Sequence, residues 1–504
     1  MQTSIGNMFR SKLAGHRSSA YPVSRPACKP CKSAAVASAV QVAPEDKWLA
    51  RTVKDVPTPP GLVALREASN GALATLRMPS TRNEDYRFTD ITPLLKANVQ
   101  PAAAGASVPS DLLAATDLPD AAVVAVVVDG VLRPELSRGL TEGLPKGVYV
   151  GPLEGAPAAA VEKLGSLSNS RGGPFSVLNG SLTPGVLVVA LPQGSYLPGP
   201  VYVLHVASAP SSAGGDGVDA ASASANAPRL LVHAGAGASV EVVEEYVGLS
   251  SPSSSPSEAA APSEAQGGRY LTASVSEMFL EADAEVKHSY VQREAGGSFH
   301  FKGTLVHQEE RSRYSVTEAS VGAGIARHDL VIQQAGPETH TEMGHFLLCG
   351  PNQLHDLHSR LTLDHPNGTA NQLHKCIVSH ASGRGVFDGN VKVNRGAQKT
   401  DAGQLSRNLL LVPLATVNVK PNLQIIADDV KCTHGCAVSD LRDEELFYFR
   451  ARGISAEAAR QALVFSFGSE VIQRMGRPAL AKRVQQDVSR TLRSVEQFAG
   501  SASA

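Results

Sequence analysis

Ala284-Glu-Val-Lys-His-Ser-Tyr-Val291, Ala326-Arg-His-Asp-Leu-Val-Ile332 and Gly389-Asn-Val-Lys-Val-Asn394 share an alternation of side-chain character from residue to residue. Alternation turns one side of an extended strand indoors, so each stretch reads as a β-strand. Such segments fill the chain from Leu271 to Val438. Helical intervals between them are too few for a βαβ arrangement, and two-residue Asn-Gly or Asp-Gly turns too few for a plain meander. Many short strands without crossover helices suit a stacked coil such as a β-helix, although no strict sequence period accompanies them. A β-sandwich satisfies the same pattern.

Short strands begin at about Val186, which sets a β core over 186–437. Two tracts of Ser, Ala, Gly and Pro interrupt it, 207–228 and 250–268. Their side chains bury too little surface to offset an ordering cost of roughly 1–2 kcal/mol per residue, so both read as disordered insertions. With them set aside, Val201-Tyr-Val-Leu-His and Ala238-Ser-Val-Glu-Val-Val join as successive strands. Residues 45–185 read as a helical and mixed region, with helix-like stretches from Gly61 and Ile91, a strand over Ala121 to Val128, and a polar connecting surface at Arg82 to Asp90. Residues 438–504 turn helical: Asp443-Glu-Glu supplies an acidic first turn, Arg450, Arg452 and Gly453 a basic stop, and Ser455 a cap for a second helix. In that helix Ala459, Leu463 and Phe467 recur on one face, and Pro478 opens a third.

Before Glu45 there is no acidic residue, while Arg10, Lys12, Arg17, Arg25, Lys29 and Lys32 lie amid Ser and Ala. Residues 1–44 therefore read as an organelle transit peptide, and the Cys28/Cys31 pair inside it as incidental. No run of about 18 apolar residues suggests a membrane span. The balance of 46 basic against 47 acidic residues argues against a general nucleic-acid binder. Six cysteines across 504 residues make no disulfide framework. A phosphate-binding Gly-x-x-x-x-Gly-Lys-[Ser/Thr] loop, a Gly-x-Ser-x-Gly elbow and a His-Glu-x-x-His helix are all absent, so no catalytic engine of these kinds is expected.

Ligand-capable side chains gather in two places. His340, His345, His355, His358, His365, His374 and His380, with Cys349 and Cys376, span several strands, which scatters them over different rungs and both faces. Cys432-Thr-His434-Gly-Cys436 is tighter, since residues i, i+2 and i+4 of a strand face one way. Alternate residues stand about 6.5–7 Å apart, wide for one ion, and a cluster takes about four ligands, so a partner chain would have to complete the shell. A buried cysteine pair flanking a polar histidine is the plainer reading. Asp356, Asp364, Asp388, Asp401, Asp428 and Asp429 leave a carbohydrate-active β-helix enzyme conceivable, without a spacing that selects acid/base work.

Four stretches together resemble the SufB/SufD family of iron-sulfur cluster assembly scaffolds, most of all its SufD branch. They are Asn83-Glu-Asp-Tyr-Arg-Phe-Thr; His374-Lys-Cys-Ile-Val-Ser with Gly385-Val-Phe-Asp-Gly; Gln404 to Ile425; and Asp428-Asp-Val-Lys-Cys-Thr-His-Gly-Cys436 running into Leu446-Phe-Tyr-Phe-Arg-Ala-Arg-Gly-Ile. The resemblance covers roughly 80–475. It implies a right-handed parallel β-helix flanked by N- and C-terminal helical regions, with no catalysis of its own. It implies a complex with a SufB-like scaffold subunit and a SufC-like ABC ATPase that hydrolyses the ATP, cluster carrier proteins as recipients, and a chloroplast stroma address. In the Lys-Cys-x-His-Gly motif His434, with Cys432, takes the place of a metal and cluster ligand, and Cys436 is not carried over. The cluster would be transient and shared with the partner, and a flavin in the complex is left open. Leu446, Phe447, Tyr448, Arg450, Arg452 and Gly453 fall in the region expected to bind the ATPase. A purely structural partner of the SufB-like chain that contributes no ligand is the competing reading within the same family.

Overall fold

The alternating segments pair edge to edge into two sheets, and the chain visits the sheets in turn. The computed structural model describes residues 46–103, 105–140, 143–210, 222–249, 269–441 and 443–501. The expected leader, 1–44, and the expected insertion at 250–268 lie outside them. Tyr270–Leu280, Phe299–Gln308, Ile325–Gln334, Leu354–Leu363, Arg384–Val393 and Thr416–Ile425 stand side by side in the first sheet. Glu285–Arg293, Arg313–Ser320, His340–Cys349, Thr369–Val378, Asp401–Leu410 and Lys431–Ser439 do so in the second. All these neighbours are parallel. The result is a mainly β protein built on a parallel β-solenoid of about six turns, with helices at both ends.

Coil length varies, which is why no strict repeat shows in the sequence: paired residues are 26 apart at Phe299↔Ile325 and 32 apart at Thr369↔Asp401. One corner is nonetheless repeated. Asp283, Arg311, Glu338, Asn367 and Lys399 all adopt positive φ, between 54° and 62°. Each donates its backbone N–H to a carbonyl of the next coil's corner, from Asp283 to Glu310 at 2.9 Å through Lys399 to Asp429 at 2.7 Å. The left-handed conformation costs a non-glycine residue roughly 1–2 kcal/mol, and the corner-to-corner hydrogen bond helps to offset it.

Between the sheets, the filling is apolar on one side and polar on the other. Val286, Tyr314 and Val316 meet Met278, Val306, Leu330 and Ile332 in one cluster. Further along, buried Glu244 accepts from Lys302 Nζ at 2.9 Å, Ser276 Oγ at 2.9 Å and Tyr246 Oη at 2.6 Å, with His288 Nε2 at 3.0 Å. Burial opposes ionisation of Glu244, but Lys302 and the imidazoles outweigh it and hold the carboxyl well below its ordinary range. Glu318 is held the same way by His328 at 2.8 Å and His345 at 2.9 Å.

The helical regions cover the outer faces. Pro174–Leu182 lies on the first sheet, where Phe175 stacks on Phe301 at 3.6 Å between centroids. Ala456–Ile472 and Pro478–Ser501 cover the second, with Val464, Val471, Leu480 and Val484 against Phe346, Leu348, Ile377 and Leu409.

Three expectations need correction. The sheets start upstream of 186, since Val123–Val128 already pairs with Val201–Ala207. Of the insertion expected at 207–228, 211–221 lies outside the described residues, but Ser222–Asn226 is a strand between Asn98–Pro101 and Tyr270–Thr272. Its small side chains are what fit there: Ala223 and Ala225 pack under Leu94, Val99 and Phe301, so the neighbours supply the apolar bulk. In the second C-terminal helix Ala459 is buried as expected, but Leu463 and Phe467 are half-buried, and Val464, Gly468 and Ile472 join the buried face, with Gly468 close on Phe346. Val201–Ala207 and Ser239–Gly248 pair in register, and Ser455 caps its helix by accepting from Ala458 N–H at 3.2 Å.

His374 carries a pH signature. Burial, then the neighbouring His345, pushes its imidazole down to about 3, whereas an unfolded histidine titrates near about 6.5. The unfolded state therefore binds the proton first, so stability is whole above about pH 6.5 and falls as pH drops toward the folded value, by up to about 1.4 kcal/mol per pH unit. His374→Phe keeps a ring stacked on Phe387 and removes this contribution. Urea midpoints taken between about pH 6.5 and about pH 4 should fall less steeply for the variant; equal slopes would contradict the assignment.

Candidate functional site

Lys431–Ser439 is the last strand of the second sheet, hydrogen-bonded only to Asp401–Leu410, and Thr416–Ile425 likewise ends the first sheet. Cys432 packs against the apolar filling between the sheets, which fixes the inward side of this strand. By alternation His434 and Cys436 share that side. In register they follow Ala402, Gln404 and Ser406. The row through Cys436 continues inward as Ser406, His374, His345 and Glu318, all buried. Beside it, under His434, Gln404 donates to Gln372 Oε1 at 2.9 Å while its own Oε1 has no partner among the described residues.

Among the described residues no coil follows, so groups that would be interior elsewhere are open here: His434 and Cys436 are exposed and Cys432 is half-buried. Burial and then Asp401 push the Cys432 thiol up, and burial pushes up Cys436. Several large apolar side chains lie bare at the same end, among them Ile425, Ile426, Val438 and Leu414, the last 83% exposed. An unpaired sheet edge with apolar side chains is a surface that invites another chain.

The three ligand-capable groups do not converge. Among the described residues, the trio of His, Cys, Asp or Glu whose ligand atoms fall within 4.8 Å of one another is Asp85, His358 and Asp388. The other histidines are scattered as the spacing predicts: His345, His355 and His374 are buried, and His365 is exposed in a turn. Asn83–Thr89, read as a connecting surface, is a docked segment with Tyr86 and Thr89 buried. The signal was there in Tyr86 set between Asp85 and Arg87, but the segment's partners lie more than 200 residues away in Arg327 and Asp356.

Leu446, Phe447, Tyr448 and Arg450 lie on the helix Asp443–Arg450. Phe447 is 71% exposed and Tyr448 55%. The Arg452 guanidinium lies 3.5 Å above the Tyr448 ring and donates to the Tyr448 carbonyl at 3.1 Å. Gly453, at φ 81°, closes the helix.

The fold is thus a parallel β-solenoid with helical end pieces whose last coil is uncovered among the described residues. The profile for the SUF system FeS cluster assembly SufBD core domain matches residues 218–467. Protein ABCI7, chloroplastic, of Arabidopsis thaliana is 41% identical over 82% of this chain and 82% of its own length. An iron-sulfur cluster assembly SufBD family protein of Synechocystis is 35% identical over 85% of this chain and 90% of its own. The iron-sulfur cluster assembly protein SufD of Escherichia coli is 28% identical over 81% and 88%. The chain belongs to the SufB/SufD family of iron-sulfur cluster assembly proteins and is SufD-like.

Accessibility orders the four described cysteines. In the native full chain, iodoacetamide should modify Cys436 first and Cys432 more slowly. Buried Cys349 and Cys376, the latter's thiol raised by its contact with Cys349 and by burial, should react only on unfolding. Peptide mass mapping reads the order.

Proposed function

We propose that this protein is the SufD-like half of a scaffold completed by a SufB-like subunit, on which a transient iron-sulfur cluster is built and passed to carrier proteins. The observation that carries the proposal is the uncovered last coil. Two strands with free edges, bare apolar side chains and an inward row ending in Cys432, His434 and Cys436 stand together. A sheet edge of the SufB-like chain added to this one would supply both the missing backbone partners and the further thiolates. In that arrangement His434 is the ligand on this side, with Cys432 in support. Gln404 Oε1, unpartnered in the preceding coil, is the acceptor that would orient the imidazole. His434→Ala in a reconstituted complex should cut cluster yield, read anaerobically as iron and sulfide per complex, while the complex still co-elutes. Undiminished yield would leave this chain a purely structural partner.

The Phe447 and Tyr448 surface is the docking face for the SufC-like ABC ATPase, which supplies the ATP hydrolysis. Exposed aromatics with a stacked arginine are of the type that dominates interface energy. The double substitution Phe447→Ala/Tyr448→Ala should weaken ATPase binding by about tenfold or more, equal to about 1.4 kcal/mol, without lowering the melting temperature; titration of the ATPase into the chain measures it. Action in the chloroplast stroma accords with the basic, acid-poor leader and with the chloroplastic relative.

A further inference from the structure

On the outer face of the first sheet, a cleft of about 400 Å³ lies between the docked segment Glu84–Thr89 and the strands carrying His358, Asp388 and Lys420. Asp85, His358 and Asp388 each offer a ligand atom there, all within 4.8 Å of one another. Acidic groups gather on many surfaces, so the histidine is the informative member. Its side chain is only 5% exposed and lines the cleft. On one side Nε2 faces Asp356 Oδ1 at 3.0 Å, and on the other Nδ1 is buried without a partner.

Asp356 is itself fixed, by Arg327 Nη1 at 2.6 Å and Thr89 Oγ1 at 2.5 Å on its other oxygen. With Asp356 against Nε2, Nδ1 is the imidazole nitrogen without a neighbouring partner among the described residues. That carboxylate–imidazole pairing is the usual support of a metal-bound histidine. The flanking carboxylates are also oriented. Arg360 donates to Asp85 Oδ1 at 2.8 Å, leaving the second oxygen, and Lys420 Nζ bonds Glu84 at 2.6 Å while standing 3.4 Å from Asp388 Oδ2.

We propose that Asp85, His358 and Asp388 form a binding site for a divalent first-row transition-metal ion, with Asp356 as the positioning residue behind His358. One imidazole and two carboxylates suit manganese, iron, cobalt or zinc better than calcium or magnesium, which favour all-oxygen shells. Three protein ligands beside an open cleft leave positions for water. The Lys420 ammonium is the competitor: near Asp388 it supplies the positive charge the ion would bring, and its attachment to Glu84 gives it a place to retire to.

The test uses cobalt(II) as the probe, titrated into the full chain carrying Cys28→Ser, Cys31→Ser, Cys432→Ser, His434→Ala and Cys436→Ser, so that the thiols near the start of the chain and the ligands at the open end are removed. This chain should take up about one cobalt per molecule, with no thiolate-to-cobalt absorption band, and zinc should displace it. Asp356→Asn should weaken binding by about 10–100-fold. His358→Ala should weaken it further, and Lys420→Met should tighten it. Circular dichroism melts report whether each variant folds, and Asp388→Asn, at the cleft wall, serves if His358→Ala does not. Absence of cobalt uptake by the parent chain, a thiolate band, or equal affinity in folded His358→Ala or Asp388→Asn would each overturn the site.

Discussion

Coil-on-coil backbone pairing governs this molecule: each turn of the solenoid satisfies its N–H and C=O groups only by lying on the turns before and after it. Two sheets repeat that dependence in parallel, so the structure has an end problem twice over at each end. The ends solve it differently. At the beginning, Val131–Leu132 and Tyr149–Pro152 fold back antiparallel and finish the two sheets with very short strands. At the far end Thr416–Ile425 and Lys431–Ser439, 10 and 9 residues long, are left with free edges. Lys420 and Pro421 within Thr416–Ile425 limit indiscriminate pairing at that edge, while Ile425, Ile426 and Val438 stay bare at the same end.

The same stacking explains how polar groups are tolerated between the sheets. Taking Glu244 and Lys302 out of water costs several kcal/mol per ion, and attraction offsets this only where hydrogen bonds fill the remaining valences. Stacked coils bring many donors to one place, and Glu244 is met by Lys302, His288, Ser276 and Tyr246 from four different strands. The arrangement falls short at His374, where neither ring nitrogen finds a partner among the described residues and the imidazole is kept neutral. Buried polar rows of this kind fix which coil lies on which, since a slip of one residue would turn Glu244 and Lys302 to the outer faces of their sheets, away from their partners.

Much of the fold was legible in the sequence because alternation is local. Val286, His288 and Tyr290 announce their common face without reference to any other strand. What was not legible depends on stacking. Beside Asp283 and Asn367, whose residue types favour turns, the corners use Arg311, Glu338 and Lys399 at positive φ, residue types that advertise no turn, because the next coil rather than the residue itself stabilises the conformation. Ser222–Asn226 has the composition of a disordered tract and becomes a strand because Leu94, Val99 and Phe301 supply the bulk it lacks. At the open end, the Cys432-Thr-His434-Gly-Cys436 spacing is legible as alternate positions of one strand, and that strand is Lys431–Ser439. The convergence of Asp85, His358 and Asp388 was invisible, since a docked segment and two coils build it from residues some 270 and 300 positions from Asp85.

That contrast gives the two outer elements different physical characters. Asn83–Thr89 is tied down: Tyr86 lies 4.0 Å under the Arg327 guanidinium, and Asp85, Thr89 and Glu84 are held by Arg360, Asp356 and Lys420. Its charges are consumed in fixing it to coils that are themselves fixed. The last coil has the opposite economy, with each sheet edge, Cys436 and His434 held from one side alone. A group held from one side can adjust to whatever arrives on the other, whereas a group held from both sides can only select by size and charge. The solenoid therefore offers rigid geometry along its flank and adaptable geometry at its end. Backbone pairing produces both, because the flank lies across coils that have two neighbours and the end is the coil that has one.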